Sequence, residues 1–100
     1  MNLTDFNGRE IRLSDERWGH INKRHPETAG QEGLVELTIS APDYVQEGAK
    51  GERLAIKKFA KTPVSVNKYC IVVYNETKGF VITAYFTRRP SFRRKLLWKK

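Results

Sequence analysis

Three side chains suited to phosphate chemistry recur at helical spacing near the start of the chain. Arg17, His20 and Arg24 stand three and four residues apart, so on a helix they form one stripe. An imidazole exchanges a proton near neutral pH, and adjacent guanidinium groups bind an anion and favour the uncharged base. The spacing therefore predicts a phosphodiester-cleaving site on this helix. A polar surface helix that carries a hydrogen-bonded histidine is the alternative.

His25 follows at the end of the same predicted helix, immediately before Pro26. A histidine at a helix C-terminus can satisfy the last carbonyl groups and the helix dipole, or it can contact the ligand of the neighbouring site. Five residues separate it from His20, roughly 140° around a helix, so the two do not face one ion as an i, i+4 pair does. We therefore predict no metal site.

A second set of polar groups lies on a late strand, which period-two alternation sorts into two faces. The predicted core face consists of Phe80, Ile82, Ala84 and Phe86. The opposite face carries Val81, Thr83, Tyr85, Thr87 and Arg89. Hydroxyl, phenol and guanidinium groups in a row can bind a phosphodiester or its pentacoordinate transition state. Because Thr and Tyr are also common on solvated strand faces, an ordinary sheet surface is the alternative.

The net charge of +8 belongs to the end of the chain. Residues 77–100 contain eight of the 19 Lys and Arg and none of the 11 Asp and Glu, so residues 1–76 are neutral. Cations interleaved with aromatic residues are typical of a polyanion partner, usually nucleic acid. The predicted nucleic-acid-binding residues are Arg17, His25, Lys58, Thr87, Arg88, Arg89, Arg93, Arg94 and Lys95.

Composition excludes several other classes of protein. One hundred residues with 39% hydrophobic and 30% charged side chains fit a single folded domain, 1–100, with a basic segment at 88–100. The single cysteine, Cys70, excludes an internal disulfide and an all-cysteine zinc site. No apolar run reaches the ~18–20 residues of a membrane span, and Met1–Glu10 lacks the hydrophobic stretch of a signal peptide. We expect a cytoplasmic protein, acting in its own cell or in a target or host cell.

Local signals divide the chain into two helices followed by strands. Ser14 is placed to cap a helix over 15–24 that Pro26 ends, with Trp18 and Ile21 facing the core. A second helix over 34–41 ends before Pro42. Predicted strands cover 10–13, 44–46, 54–59, 69–74 and 80–89, with a break at Thr62-Pro63. Residues 91–98 fit either a strand or a helix. The predicted fold is α+β, with two N-terminal helices packed on one face of an antiparallel sheet of about four strands.

The helical and late-strand motifs together resemble the phage-associated nuclease domains of the barnase–EndoU–colicin–RelE-like superfold. The resemblance rests on the run from Trp18 to Glu27, a helix ending in Pro42-Asp43, and the run from Val81 to Phe86. It implies a small α+β domain that cleaves RNA without a metal or cofactor, as toxins and phage or mobile-element effectors do. His20 and His25 match the helical histidine motif, and Thr83 and Tyr85 match the late-strand motif.

The leading hypothesis is therefore a metal-independent endoribonuclease in which a ribose 2′-OH attacks its own phosphate and leaves a 2′,3′-cyclic phosphate. The predicted catalytic residues are His20, Arg24, Thr83 and Tyr85. The predicted substrate is RNA, with tRNA or another structured RNA as one form of it. The alternative is a non-catalytic RNA- or DNA-binding module that uses the basic C-terminal segment. An acidic antitoxin or immunity protein is a further partner that these cations fit, whereas a membrane partner is not expected.

Overall fold

The computed structural model describes residues 1–61 and 66–100 of the chain. Over these ranges it shows an α+β fold with two α-helices and one seven-stranded sheet. The elements, in chain order, are β1 (Asn2–Thr4), β2 (Glu10–Arg12), α1 (Asp15–Arg24), α2 (Glu32–Ser40), β3 (Tyr44–Glu47), β4 (Glu52–Lys61), β5 (Val66–Asn75), β6 (Phe80–Thr87) and β7 (Leu96–Lys99). Within these residues neither helix combines the length and the apolar character needed to cross a bilayer. The predicted break at Thr62-Pro63 lies outside the described residues.

Helix α1 begins and ends where its sequence signals place it. The Ser14 hydroxyl oxygen accepts a hydrogen bond from the Arg17 backbone N–H at 3.1 Å, which satisfies one of the free donors of the first turn. At the other end the backbone of His25 leaves the helical region, and its N–H donates to the Ile21 carbonyl oxygen at 2.7 Å. Pro26 then starts a single 3₁₀ turn, Pro26–Thr28.

The sheet is mixed and strongly curled. Its strand order is β1-β2-β6-β5-β4-β3-β7, and every pairing is antiparallel except that of β2 with β6, which meet in parallel at Arg12 and Phe80. Phe6, just after β1 at one edge, packs against Trp98 of β7 at the other edge, with ring centroids 5.2 Å apart. The two edges of the sheet therefore approach each other, and the sheet wraps around α2, which contacts β1, β4 and β5.

The predicted four-stranded antiparallel sheet is wrong, and so is the order of helices before strands. Two strands precede the helices, and the sheet contains a parallel pairing. β1 has three residues, which is too short for a period-two pattern to stand out. β2 lies within the predicted strand 10–13, but the predicted sheet placed its strands after the helices. β7 is four exposed residues in the basic segment, so burial alternation does not mark it either. β2 and β7 belong to the sheet through pairings with the distant strands β6 and β3, and β1 joins it through its neighbour β2.

The main core lies on the face of the sheet that the helices cover. α1 contributes Ile21 to it, and α2 contributes Val35 and Ile39. The neighbouring strands contribute fully buried side chains such as Val72 and Ala84. Trp18 is half-buried and packs against this core, as its position beside Ile21 predicts. Burial of this helical stripe holds the polar stripe of α1 at the surface next to β6.

A bulge in β6 overturns the predicted division of that strand into two faces. Val73 of β5 pairs with Thr83, but the next residue, Tyr74, pairs with Val81, so Ile82 is an extra residue in the ladder. The core face therefore consists of Val81, Ala84 and Phe86, not of Phe80, Ile82, Ala84 and Phe86. Thr83, Tyr85 and Thr87 still point to the opposite face, because their pairing follows the bulge.

Alkaline pH is expected to destabilise the fold through buried acidic groups on β5. Burial, partly opposed by a hydrogen bond with Thr38, raises the pKa of the Cys70 thiol to about 12 from 9.0. Burial and the negative charges of Asp5 and Glu76 likewise raise the pKa of Tyr74. The unfolded thiol ionises near 9.0 and the folded one does not, so its contribution to stability is complete below that pH and is lost as the pH rises toward 12. Urea unfolding across this range should show a falling free energy of unfolding.

The matched variant for this prediction is Cys70→Ala, which removes one titrating group. Its free energy of unfolding should fall less steeply above the ordinary thiol pKa than that of the wild type. The native thiol should also resist a disulfide reagent until the chain unfolds, because it is buried and uncharged. Equal alkaline slopes for the two proteins would contradict the assignment to Cys70.

Candidate functional site

A cleft of about 340 Å³ lies between α1 and the bulged part of β6. β2 pairs with β6 only at Phe80, so beyond that point the outer edge of β6 faces α1 and the turn Pro26–Thr28. The residues that line the cleft are Arg17, His20, Ile21, Arg24, His25, Ile82 and Thr83. The structure thus brings three of the four predicted catalytic residues together from two distant parts of the chain, and Tyr85 adjoins them through His25.

The polar stripe of α1 supplies one wall of the cleft. His20 is the exposed member of the site, with 62% of its side chain accessible. Its Nε2 atom lies 3.9 Å from Oε1 of Glu16, one turn earlier on the helix and almost fully exposed, which is a contact of little energetic weight. The imidazole is therefore accessible to solvent in the lining of the cleft, at a helix position between those of Arg17 and Arg24.

His25 is held more firmly than His20. Its ring stacks on the ring of Tyr85, with centroids 5.4 Å apart and an angle of 29° between the planes, and about a third of the side chain stays accessible. Stacking of this kind fixes the plane of an imidazole without using its nitrogen atoms. Tyr85 thus contacts the histidine that lines the cleft and is not itself a lining residue.

Glu27 is a functional candidate that the sequence analysis left without a role. Its Oε2 atom accepts a hydrogen bond from the Phe86 backbone N–H at 3.3 Å and lies 3.8 Å from Nδ1 of His25. The carboxylate therefore ties the Pro26–Thr28 turn to the open edge of β6 and places a negative charge beside the imidazole. The buried Thr28 hydroxyl, 2.7 Å from the His25 carbonyl oxygen, holds the same turn. The one sequence signal for it was its position two residues after His25, across Pro26.

Basic side chains make up most of the polar lining of the cleft. Two arginines and two histidines are among the seven residues that line it, and none of the seven is acidic. The Thr83 hydroxyl adds a neutral donor on the β6 side. Cationic and hydroxyl donors around one hollow are the groups that bind a phosphate and the charge that develops on it during transfer.

The other predicted nucleic-acid contacts lie outside the lining of this cleft. Thr87 is half-buried at the end of β6, and its hydroxyl oxygen accepts a hydrogen bond from the Arg89 N–H at 3.2 Å. Lys58 is exposed on β4, with Nζ 5.9 Å from the ring centroid of Tyr69. The exposed cations that follow β6 are Arg88, Arg89, Arg93, Arg94 and Lys95. The basic segment therefore starts at the end of the strand that forms one wall of the cleft.

Comparison with models of protein families, with curated protein sequences and with solved structures finds no significant match to this chain. The resemblance drawn from the motifs stays a prediction. In the part of the chain that the structure describes, no three His, Cys, Asp or Glu side chains are grouped so that they could hold a metal ion.

Removal of the Glu27 carboxylate is expected to loosen the site. Glu27→Ala leaves the Phe86 N–H without its acceptor at the edge of β6, and we expect a loss of about 1–3 kcal/mol in the free energy of unfolding. Glu27→Gln keeps an acceptor oxygen and should lose less. The control is Glu36→Ala, an exposed glutamate of α2, which should stay within about 0.5 kcal/mol of wild type. Equal losses for the Glu27→Ala and Glu36→Ala variants in urea unfolding would contradict the role of Glu27.

Proposed function

We propose that this protein is a metal-independent endoribonuclease whose active site is the cleft between α1 and β6. The observation that supports the proposal is the convergence of His20, His25 and Arg24 with Thr83 on one hollow. The histidines and Arg24 come from α1 and its end, and Thr83 comes from β6, 58 or more residues later in the chain. Together they supply proton-transfer groups and anion-binding groups at one place. RNA carries its own nucleophile, the 2′-OH, so such a site needs no nucleophilic side chain.

The reaction moves a phosphoryl group within the RNA strand, from the 5′-oxygen of the next nucleotide to the 2′-oxygen. The 2′-oxygen forms a bond to phosphorus while the bond from phosphorus to the 5′-oxygen of the next nucleotide breaks, which leaves a 2′,3′-cyclic phosphate and a free 5′-OH. One uncharged imidazole accepts the proton of the 2′-OH, and a protonated imidazole on the other side donates a proton to the leaving 5′-oxygen. His20 and His25 are the two imidazoles that line the cleft, and the proposal assigns these two steps to them.

The remaining side chains stabilise charge and hold the histidines. The Arg24 guanidinium, with that of Arg17 two stripe positions earlier, neutralises the charge that builds on the non-bridging oxygens. The Thr83 hydroxyl donates a hydrogen bond to the same non-bridging oxygens. Tyr85 acts as a positioning residue, because its ring contacts the His25 ring at a stacking distance.

Loss of either imidazole is expected to slow RNA cleavage by about 10²–10⁴-fold, the range of one general acid or base. The assay incubates RNA with wild type, His20→Ala or His25→Ala in EDTA and measures the cyclic-phosphate product. Wild-type cleavage in EDTA with both variants impaired is the expected result. Full activity of His20→Ala would remove His20 from the mechanism. No cleavage of varied RNAs by the wild type would contradict the proposed activity.

Arg24 and Lys23 provide a matched pair of charges on one helix. Both are exposed cations of α1, but Arg24 lines the cleft and Lys23 is not among its lining residues. Arg24→Ala should lower kcat by roughly 10²–10³-fold, as removal of one transition-state donor does. Lys23→Ala should stay within about twofold, because Lys23 is not among the residues that line the cleft and an exposed charge without direct contact contributes little. Similar effects of the two variants on kcat would show a general charge effect and contradict the role of Arg24.

The exposed basic segment favours a second function, a nucleic-acid-binding module without catalysis. Its five cations from Arg88 to Lys95 are all exposed and follow the strand that borders the cleft. RNA binding without cleavage, insensitive to His20→Ala and weakened by salt, would support this function. The same cations suit an acidic antitoxin or immunity protein that imitates the polyanion.

A further inference from the structure

The face of the sheet opposite the helices carries a row of aromatic side chains. The buried residues of this face are Leu54, Ile56 and Ile71, and half-buried Tyr44, Tyr69 and Tyr85 pack around them. The helices contribute to the core on the other face. Phe92 of the basic segment completes the row, with 53% of its surface exposed. Its ring lies edge-on 5.3 Å from the ring of Tyr44 and 6.3 Å from that of Tyr69.

This row continues into the cleft. Tyr85 pairs with Ile71, and Tyr69 pairs with Thr87, so the two tyrosines are diagonal neighbours on one face, roughly 7–8 Å apart. Tyr85 in turn stacks on His25, which lines the cleft. We call the continuous set His25, Tyr85, Tyr69, Phe92 and Tyr44 the aromatic track. It leads from the cleft across four strands of the sheet, from β6 to β3.

One positive charge lies over the aromatic track, and four more are close to its residues in sequence. The Lys58 ammonium group lies over the ring of Tyr69 at 5.9 Å. Arg88 and Arg89 follow the end of β6, and Arg93 and Arg94 follow Phe92. An exposed phenylalanine and half-buried tyrosines with cations nearby match the two parts of an unpaired nucleic-acid strand, since bases stack on the rings and phosphates pair with the cations.

We propose that the aromatic track binds an unpaired stretch of RNA and leads it into the cleft. The inference rests on the proposed function for the choice of RNA, and it adds that the substrate must be single-stranded where it meets the sheet. In a duplex the bases stack on one another and present only their edges, so they are not free to lie on Tyr69 or Phe92. Unpaired loops of a structured RNA satisfy the same requirement.

Binding measurements test the aromatic track separately from catalysis. The probe is a fluorescent 2′-O-methyl RNA strand of roughly twelve nucleotides, within the span of one single-strand-binding domain, compared with the same strand in a duplex. It lacks the 2′-OH nucleophile, so wild type binds it without cleaving it. Fluorescence anisotropy should show tighter binding of the single strand. Tyr69→Leu and Phe92→Leu should each weaken that binding by about 5- to 150-fold, the value of one stacked base.

Two controls separate stacking from charge and from misfolding. Trp98→Leu removes an aromatic ring that packs against Phe6 outside the track, and it should keep wild-type affinity. Leucine variants keep every charge, so the dependence of affinity on salt should not change, whereas Arg89→Ala should reduce the salt slope by about 0.7. Phe92 is more than half exposed, so its variant should keep the wild-type unfolding midpoint even if Tyr69→Leu does not.

The results distinguish failure of this inference from failure of the proposed function. Equal affinity for single strand and duplex, with Phe92→Leu as tight as wild type, would overturn the aromatic track even if the protein cleaves RNA. Single-strand binding that depends on Phe92 without cleavage of natural RNA would support the aromatic track and contradict the nuclease. Equal loss of binding in Trp98→Leu and Phe92→Leu would also overturn the aromatic track, because RNA binding would then not depend specifically on the residues of the track.

Discussion

The outer edge of β6 is the constraint on which the candidate site depends. β2 pairs with this strand only at Phe80, so the backbone groups beyond the bulge need other partners. Glu27 supplies one of them through its carboxylate, 3.3 Å from the Phe86 N–H. A strand that continued the pairing would satisfy the edge but would also exclude α1 from it. The cleft exists because a helix and a short turn, and not another strand, cover this edge.

The two histidines of the cleft are held by different means. His20 stands in the middle of α1 and is mostly exposed, whereas His25 lies past the helix end and is stacked on Tyr85. The Ser14 cap and Pro26 determine the length of the helix between them. A spacing of five residues does not suit a shared metal ion. It places the imidazoles at separate points of one wall, which suits a mechanism with a distinct acid and base.

The curled sheet has one face that the helices cover and another that the helices leave accessible. The helices cover the face that carries Val72, Ala84 and Phe86, and contact between Phe6 and Trp98 brings the two edges together around them. The cations of the basic segment are exposed, where water solvates them. Phe92 of this segment packs against Tyr44 and Tyr69 on the opposite face, and the Lys58 ammonium group lies over the Tyr69 ring. Charge and aromatic surface thus meet on the one side of the sheet that the helices leave free.

Local signals in the sequence determined α1, the approximate extent of β3 to β6 and the polar stripe of Arg17, His20 and Arg24, because caps, proline and periodicity act within a few residues. They did not determine the seven-stranded curled sheet, because β2 joins β6 and β7 joins β3 through pairings between distant segments. Nor did they reveal the bulge at Ile82, since strict alternation assumes an unbroken ladder. The role of Glu27 and the stacking of His25 on Tyr85 were also decided by tertiary structure, because both join residues about 60 positions apart.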